Sequence, residues 1–537
     1  MIEHASENDT VPRDRTVLAG RRRPGSLIFG LATLLILAAV LLVRVRFEIL
    51  HIDQPIFEGY VGRQVPTAMV ARDLIREGAF FYPKLQTGPF PSWFLIEVPI
   101  YAQCVAWLEQ ATDFPLERCG RIVSLVSLTI GAIALGDLAR RRYGLKVAFW
   151  SALFFLAWPV TIRYARAFQP DMLALALFLL GANFRRYADD SIARDREDDI
   201  SPTLAWFSLA LAFMAKITLA PLLIGLAYPG IPGKPGQTNR RFLASTLVPA
   251  LLWYAWAAWL TLFELGPSGG HSADGFAFWL NAPGPLSLLS TGNLKAIGLN
   301  VLAKAWTPAG TALWLLFPYL WRQDPAVRRW TIALACWFLA VGGKAHHGYY
   351  WLVPSPFMAV LGGWFMARID SGHGESTMFF RAAARHLGLA AGSLLVALSL
   401  FLAFDTYETP SEWQPLTGGM ARIRAWINST PGRPFIGHEA SIYAVDRPGF
   451  RWEWSEPAQK RAAAAFGERL DGESPRALLE FYMKQGSRWF LGLETDPEWP
   501  PRKAALGDLL EESRIVHRSG GLVLYELKDI EAPAKSP

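Results

Sequence analysis

The sequence predicts an α-helical polytopic membrane protein. It has about eleven transmembrane helices, amphipathic helices in the first outer loop, and a small C-terminal α/β domain on the extracytoplasmic side. Three observations lead there. Of 537 residues, 52% are hydrophobic and only 18% are charged, where a soluble chain carries about 25%. Long apolar runs alternate with short Arg/Lys clusters such as Arg140–Arg142 and Arg185–Arg186. After Phe404 no run is long enough to span, and strand and helix signals alternate. The net charge of +7 sits in the short loops, so it reads as a topology signal and excludes a nucleic-acid partner. The 22 Trp suit interfacial belts.

Residues 1–24 form a polar, basic tail expected in the cytoplasm. The first span runs from Leu27 to Val43, close to the roughly 20 apolar residues a bilayer core of about 30 Å demands. With no small-residue cleavage pattern after it, this run is a retained anchor and not a signal peptide. The further spans are Ile122–Leu138, Val147–Ile162, Met172–Phe184, Pro202–Ala215, Ile217–Tyr228, Phe242–Phe263, Trp306–Trp321, Trp330–Val341, Trp351–Met366 and Leu387–Phe404. Basic clusters recur on the side this assigns to the cytoplasm. Residues 25–405 thus form the membrane domain and 406–537 the outer domain. The outer domain has strands at Pro434–Glu439, Arg488–Leu493 and Leu522–Leu527, and helices at Met420–Asn428, Pro475–Gln485 and Arg502–Arg514. Cys104, Cys119 and Cys336 make no metal-binding spacing and read as small buried thiols.

The stretch from His51 to Glu97 is too charged to span and too aromatic for an ordinary loop. Thr67–Glu77 reads as an amphipathic helix on the membrane surface, with Arg72, Asp73, Arg76 and Glu77 on its polar face. Trp93–Leu108 reads as a second helix. A long ordered segment between spans suits one wall of an active site.

Sorting polar groups by side collects Asp53, Glu58, Arg63, Glu97, Arg163, Arg166, Asp171, Lys216, His271, Asp274, Lys344, His346, His347, Tyr349 and Tyr350 on the outer face. Ionisable groups at span ends that face one side point to a site. Arg and Lys bind phosphate, a carboxylate takes a proton from an attacking hydroxyl or amine, and His–Tyr pairs orient either. Each residue also has a plainer reading. Asp53 and Glu58 could be solvated loop acids. Asp171, after Pro170, suits a helix N-terminus, and Lys216 suits an interface anchor. Glu97, among apolar neighbours, needs a partner. The knot from His346 to Tyr350 is hardest to explain as punctuation.

These pieces resemble a known class. RQVPTAMVARDLIREG, GPFPSWFLIEVPIYA, ERCGRIVSLVSL, RYARAFQPDMLALALF, the isolated Lys of MAKITLAPLL, and HHGYYWLVPSP occur in that order over residues 27 to 405. They are similar to the GT-C polytopic glycosyltransferases, the superfamily of protein O-mannosyltransferases and lipid A aminoarabinose transferases. The resemblance implies a bacterial inner-membrane enzyme that moves a sugar from a polyprenyl-phosphate donor, with inversion, to a lipid, glycan or protein acceptor. It implies a first-loop acid as base, Asp171 in support, Glu97 against metal or substrate, and Lys216, His347 and Tyr349 on the donor phosphate. Arg63, Arg163, Arg166, Lys344, His346 and Tyr350 complete the expected substrate contacts. A divalent cation, Mg or Mn, is left open. The sequence departs from the class where an Asp-Glu pair is common, because Arg63-Gln64 stands there. That moves the expected base to Asp53 or Glu58, with Asp53 favoured. The alternative is a transporter or flippase of a lipid-linked saccharide, disfavoured because the charges gather at one face and not at mid-span.

Overall fold

Why helices start and stop where they do is plain in the longest one. In the computed structural model, α3 (Leu116–Tyr143) follows Pro115 and carries Glu117 in its first turn and Arg140, Arg141 and Arg142 in its last, each charge suiting the helix dipole. It ends at Gly144, whose φ of 88° a side chain would resist. The structure describes residues 35, 38–39, 42–59, 61–88, 90, 92–193, 200–226, 237–265, 291–341, 344, 346–371, 378–418, 420–429, 434–452, 475–497 and 499–528. It divides into two compact units, 1–45 and 46–537. In the first, the described residues are helical. All that follows concerns the second. The basic tail, most of the first expected span, the loop holding His271 and Asp274, and the last residues lie outside the described ones.

Before α3 come α1 (Val61–Glu77), with Pro66 inside it, and α2 (Ile100–Thr112). After it come α4 (Leu145–Ala157), α5 (Asp171–Ala193), α6 (Ser201–Ala215) and α7 (Gln237–Trp259). Then follow α8 (Pro325–Val341), α9 (Ser355–Ser371) and α10 (Met378–Leu402). α5 packs along α6 and α3, and α4 along α9. The α4–α9 approach is so close that a Cβ on Gly363 would stand 2.7 Å from the Val147 carbonyl oxygen, so only glycine fits there.

By length and apolarity two described helices can cross a membrane, Leu116–Tyr143 and Arg241–Glu264. Leu145–Ala157, Ser201–Ala215, Ile217–Leu226 and Ala390–Leu402 are apolar but shorter. The expected span Trp306–Trp321 is broken into Thr307–Ala312, a 3-10 turn Leu313–Leu316, and Phe317–Gln323. Pro308 and Pro318 stand in the first turn of the two helical pieces, where a missing N–H costs least. Ile217–Tyr228 likewise begins as a 3-10 turn with Pro221 in it.

The C-terminal segment forms α11 (Met420–Ser429), α12 (Glu439–Val445) and α13 (Pro475–Lys484) around a mixed sheet. Its strands are β1 (Thr87–Gly88), β2 (Phe435–Gly437), β3 (Gly449–Arg451), β4 (Trp489–Leu493), β5 (Arg514–Ser519) and β6 (Leu522–Glu526), in the order β1-β3-β2-β4-β6-β5. The first three pairings are parallel and the last two antiparallel. The edge strand β1 comes from the segment between α1 and α2, which its pairing with β3 fixes to the C-terminal segment. The expected helix Arg502–Arg514 is shorter, Trp499–Leu506 and Asp508–Glu511, because Arg514 opens β5.

The surface-helix expectation for Thr67–Glu77 is corrected. Val65, Ala68, Met69 and Leu74 share one buried cluster with Met420, Ile423, Ile442, Tyr443 and Leu491, so α1 covers its apolar residues with protein. Its supposed polar face is paired too. Arg72 lies over the Tyr443 ring and 2.9 Å from Asp446, which Arg76 also meets at 2.8 Å. Trp93–Leu108 is helical only from Ile100. The cysteines are free, with Cys119 buried.

Candidate active site

Four segments converge on one buried point. Asp171 opens α5, and α6 stops at Lys216, whose backbone is extended. That break turns the Lys216 ammonium inward to pair with Asp171 Oδ1. Both residues are buried, 7% and 4% exposed, so each needs the other. Beyond the broken span, the 3-10 turn Gly348–Leu352 sets the Tyr349 and Tyr350 rings 5.1 and 5.4 Å from Lys216 Nζ. These are cation–π distances. The fourth side is Arg63, near the start of α1, paired with Glu97. The Arg63 and Glu97 charges act on Lys216.

The aromatic knot continues outward. The His347 ring stacks on Tyr349 with centroids 5.7 Å apart, and His346 lies 4.0 Å from His347. The His347 amide donates to the Lys344 carbonyl at 3.0 Å, and Asn300 donates to the His346 carbonyl. Burial pulls the Lys344 ammonium down to about 7. Burial, then the neighbouring His346 and Lys344, holds His347 down at about 4.

Not every polar atom here is satisfied. Asp171 Oδ2, Arg63 Nε and His346 Nδ1 are buried with no hydrogen-bond partner among the described residues. A buried carboxylate oxygen that accepts nothing is costly and suits a proton or a substrate hydroxyl.

The remaining expected site residues go elsewhere. Glu58 is buried with both oxygens on Arg121, at 2.6 and 2.9 Å. Arg166, fully buried, spends its guanidinium on Glu48 at 2.9 Å and the His51 carbonyl at 2.9 Å. Each is saturated by protein partners in this structure. Arg163 turns to Asp405 at 2.7 Å and to the Leu402 carbonyl. Asp53 is half exposed and grips Arg118 through two 2.6 Å bonds, and that hydrogen bonding lowers its carboxyl below the usual range.

Sequence reasoning missed Arg121, Glu48 and Tyr254. Tyr254, on α7, lies in the field of Glu97 and Arg63. It sits mid-run among apolar residues, and nothing in that run marks it.

A divalent cation does not fit these side chains as they stand. Among the described residues no group of three or more His, Cys, Asp or Glu could hold one. Glu97 and Asp171 are each neutralised by a protein cation.

The fold is similar to that of the GT-C glycosyltransferases, as the motifs in the sequence anticipate. The likeness is to particular solved structures. ArnT from Cupriavidus metallidurans, bound to undecaprenyl phosphate, superposes with a TM-score of 0.58 at 15% identity, covering 91% of this chain and 97% of that one. The Archaeoglobus fulgidus oligosaccharyltransferase tethered with an acceptor peptide containing the NVT sequon gives 0.54 at 12% identity, covering 93% and 74%. AglB of the same organism, in complex with an inhibitory peptide and a dolichol-phosphate, gives 0.51 at 11% identity, covering 94% and 75%. A further Archaeoglobus structure is a complex with Zn and sulfate. At these identities the likeness is one of fold. No family model and no curated protein matches the chain.

Proposed function

We propose that the chain is a glycosyltransferase of a bacterial inner membrane. It would take a sugar from a polyprenyl-phosphate donor and pass it, with inversion, to a lipid, glycan or protein acceptor on the extracytoplasmic side. The observation that carries this reading is the meeting of Asp171, Lys216, Arg63, Glu97, Tyr349 and Tyr350 at one buried point, with Asp171 Oδ2 left open. Solved structures of this fold hold undecaprenyl phosphate or a dolichol-phosphate, which supports the donor class.

The acceptor hydroxyl or amine gives its proton to Asp171 as its oxygen or nitrogen bonds to the sugar C1. The bond from C1 to the phosphate oxygen breaks, and its electrons leave with the polyprenyl phosphate. That phosphate gains a negative charge, which Lys216 and Arg63 meet as preorganised donors. Tyr349 and Tyr350 orient the ammonium. Glu97 holds Arg63 in place, and Lys344, His346 and His347 line the outer approach.

The test is transfer from a labelled polyprenyl-phosphate sugar by purified protein. Asp171→Asn is expected to lower the rate by about 10²–10⁴-fold, the range a general base supplies. Because this change leaves Lys216 buried alone, the pair Asp171→Asn with Lys216→Met checks that a folded protein has lost transfer. Full transfer in the folded double variant sinks the assignment. Movement of the lipid across the bilayer without transfer would favour the flippase.

A further inference from the structure

A cleft away from this site lies between α3, α5, α8 and α9. Its walls are apolar: Leu138, Leu175, Phe178, Trp330 and Phe357 face it. Its rim is not. Arg141 and Arg142 at the end of α3, and Arg185 and Arg186 near the end of α5, line the same opening. It encloses about 170 Å³.

Among the described residues the rim stays basic after its carboxylates are counted. Asp189 pairs with Arg185 at 2.8 Å. Asp137 holds Arg140 and Arg141 at 2.6 and 2.8 Å. Asp324 takes Arg142 at 2.8 Å and the Tyr143 hydroxyl at 2.7 Å. Among the described residues the rim guanidiniums outnumber the carboxylates. Each has five donors, and a single carboxylate cannot use them all. Arg142 keeps half its side chain exposed.

Length selects the occupant. From Leu175 to Arg186 a helix rises about 16 Å, roughly the depth of one leaflet in a core of about 30 Å. An acyl chain of a phospholipid fills one leaflet, whereas a polyprenyl chain is far longer. The opening lies at the far end of α5 from Asp171, so it cannot be the mouth of the candidate active site.

We propose that this cleft binds an anionic phospholipid, with its phosphate on Arg142 and Arg186 and one acyl chain along Phe178, Trp330 and Phe357. Basic pockets between spans hold such headgroups through charge and apolar tails through burial.

The test uses the purified full chain in detergent, with phosphatidylglycerol and phosphatidylcholine of matched chains added in equal amounts and retention read by native mass spectrometry. Phosphatidylglycerol is expected to be retained preferentially. The double variant Arg142→Gln with Arg186→Gln should lower that retention on the order of tenfold. Equal retention of both lipids overturns the proposal, as does phosphatidylglycerol retention unmoved in a monodisperse double variant. Preference for undecaprenyl phosphate over phosphatidylglycerol at this cleft also overturns it. Should the double variant not fold, Leu179→Trp blocks the cleft from its apolar side. It must abolish the preference if the site is here.

Discussion

Two buried charge clusters lie on either side of the turn that leads into α5, and they are built on opposite terms. The first, Glu48, Glu58, Arg121 and Arg166, is closed. Arg121 reaches both oxygens of Glu58 and the Gln54 carbonyl, and Arg166 reaches Glu48 and the His51 carbonyl. The Tyr407 hydroxyl donates to the remaining Glu48 oxygen at 3.1 Å. The second, Asp171, Lys216, Arg63 and Glu97, is buried except at Arg63, which is partly exposed, and leaves Asp171 Oδ2 and Arg63 Nε unmet. A saturated network fixes a fold, and an unsaturated one keeps capacity for a ligand. The difference says that burial of charge alone does not mark a site.

The comparison breaks most sharply by removing one cation from the closed cluster. Arg121→Met takes from Glu58 the guanidinium that holds both its oxygens and leaves it only Arg166, 3.5 Å from Oε1. Loss of one partner of a buried pair costs about 3–5 kcal/mol, so the variant should fail to give a monodisperse peak on size exclusion. An Arg121→Met protein that purifies normally and unfolds at the parental temperature would show that the closed cluster is no scaffold. Transfer lost by the folded Asp171→Asn, Lys216→Met protein is the matching result at the open cluster.

A smaller effect sharpens the same contrast. The Asp53–Arg118 pair is exposed, and exposed pairs contribute little. Asp53→Asn should leave transfer and unfolding temperature near the parental values, measured in the same assays. A large loss of transfer with unchanged unfolding would return the base to Asp53.

Much of this was legible in the chain. The order of basic punctuation and apolar runs predicted a helical membrane fold. The strand-like runs Pro434–Glu439, Arg488–Leu493 and Leu522–Leu527 hold the strands Phe435–Gly437, Trp489–Leu493 and Leu522–Glu526. Asp171, Lys216, Tyr349 and Tyr350 were marked because charge and aromatics at span ends are costly without use. What was not legible depends on pairing across long separations. Thr87–Gly88 is too short to read as a strand until β3 lies beside it. Glu58 and Arg166 look identical in sequence to Glu97 and Arg63. Only the structure shows that Arg121, near the start of α3, pairs with Glu58.

The smallest effect concerns pH and separates the outer approach from both clusters. His347 is held at about 4, below its ordinary 6.5, by burial and then by His346 and Lys344. Between those values the unfolded chain binds a proton that the folded chain refuses. Stability from this group is therefore full above pH 6.5 and is lost as pH falls toward 4. A series of unfolding temperatures from pH 7 to 4 should fall more steeply for the parent than for His347→Phe, which keeps the ring stacked on Tyr349 and has no proton to bind. Parallel curves would mean that His347 is protonated in the fold, and that the approach to Lys216 is wetter than its burial implies.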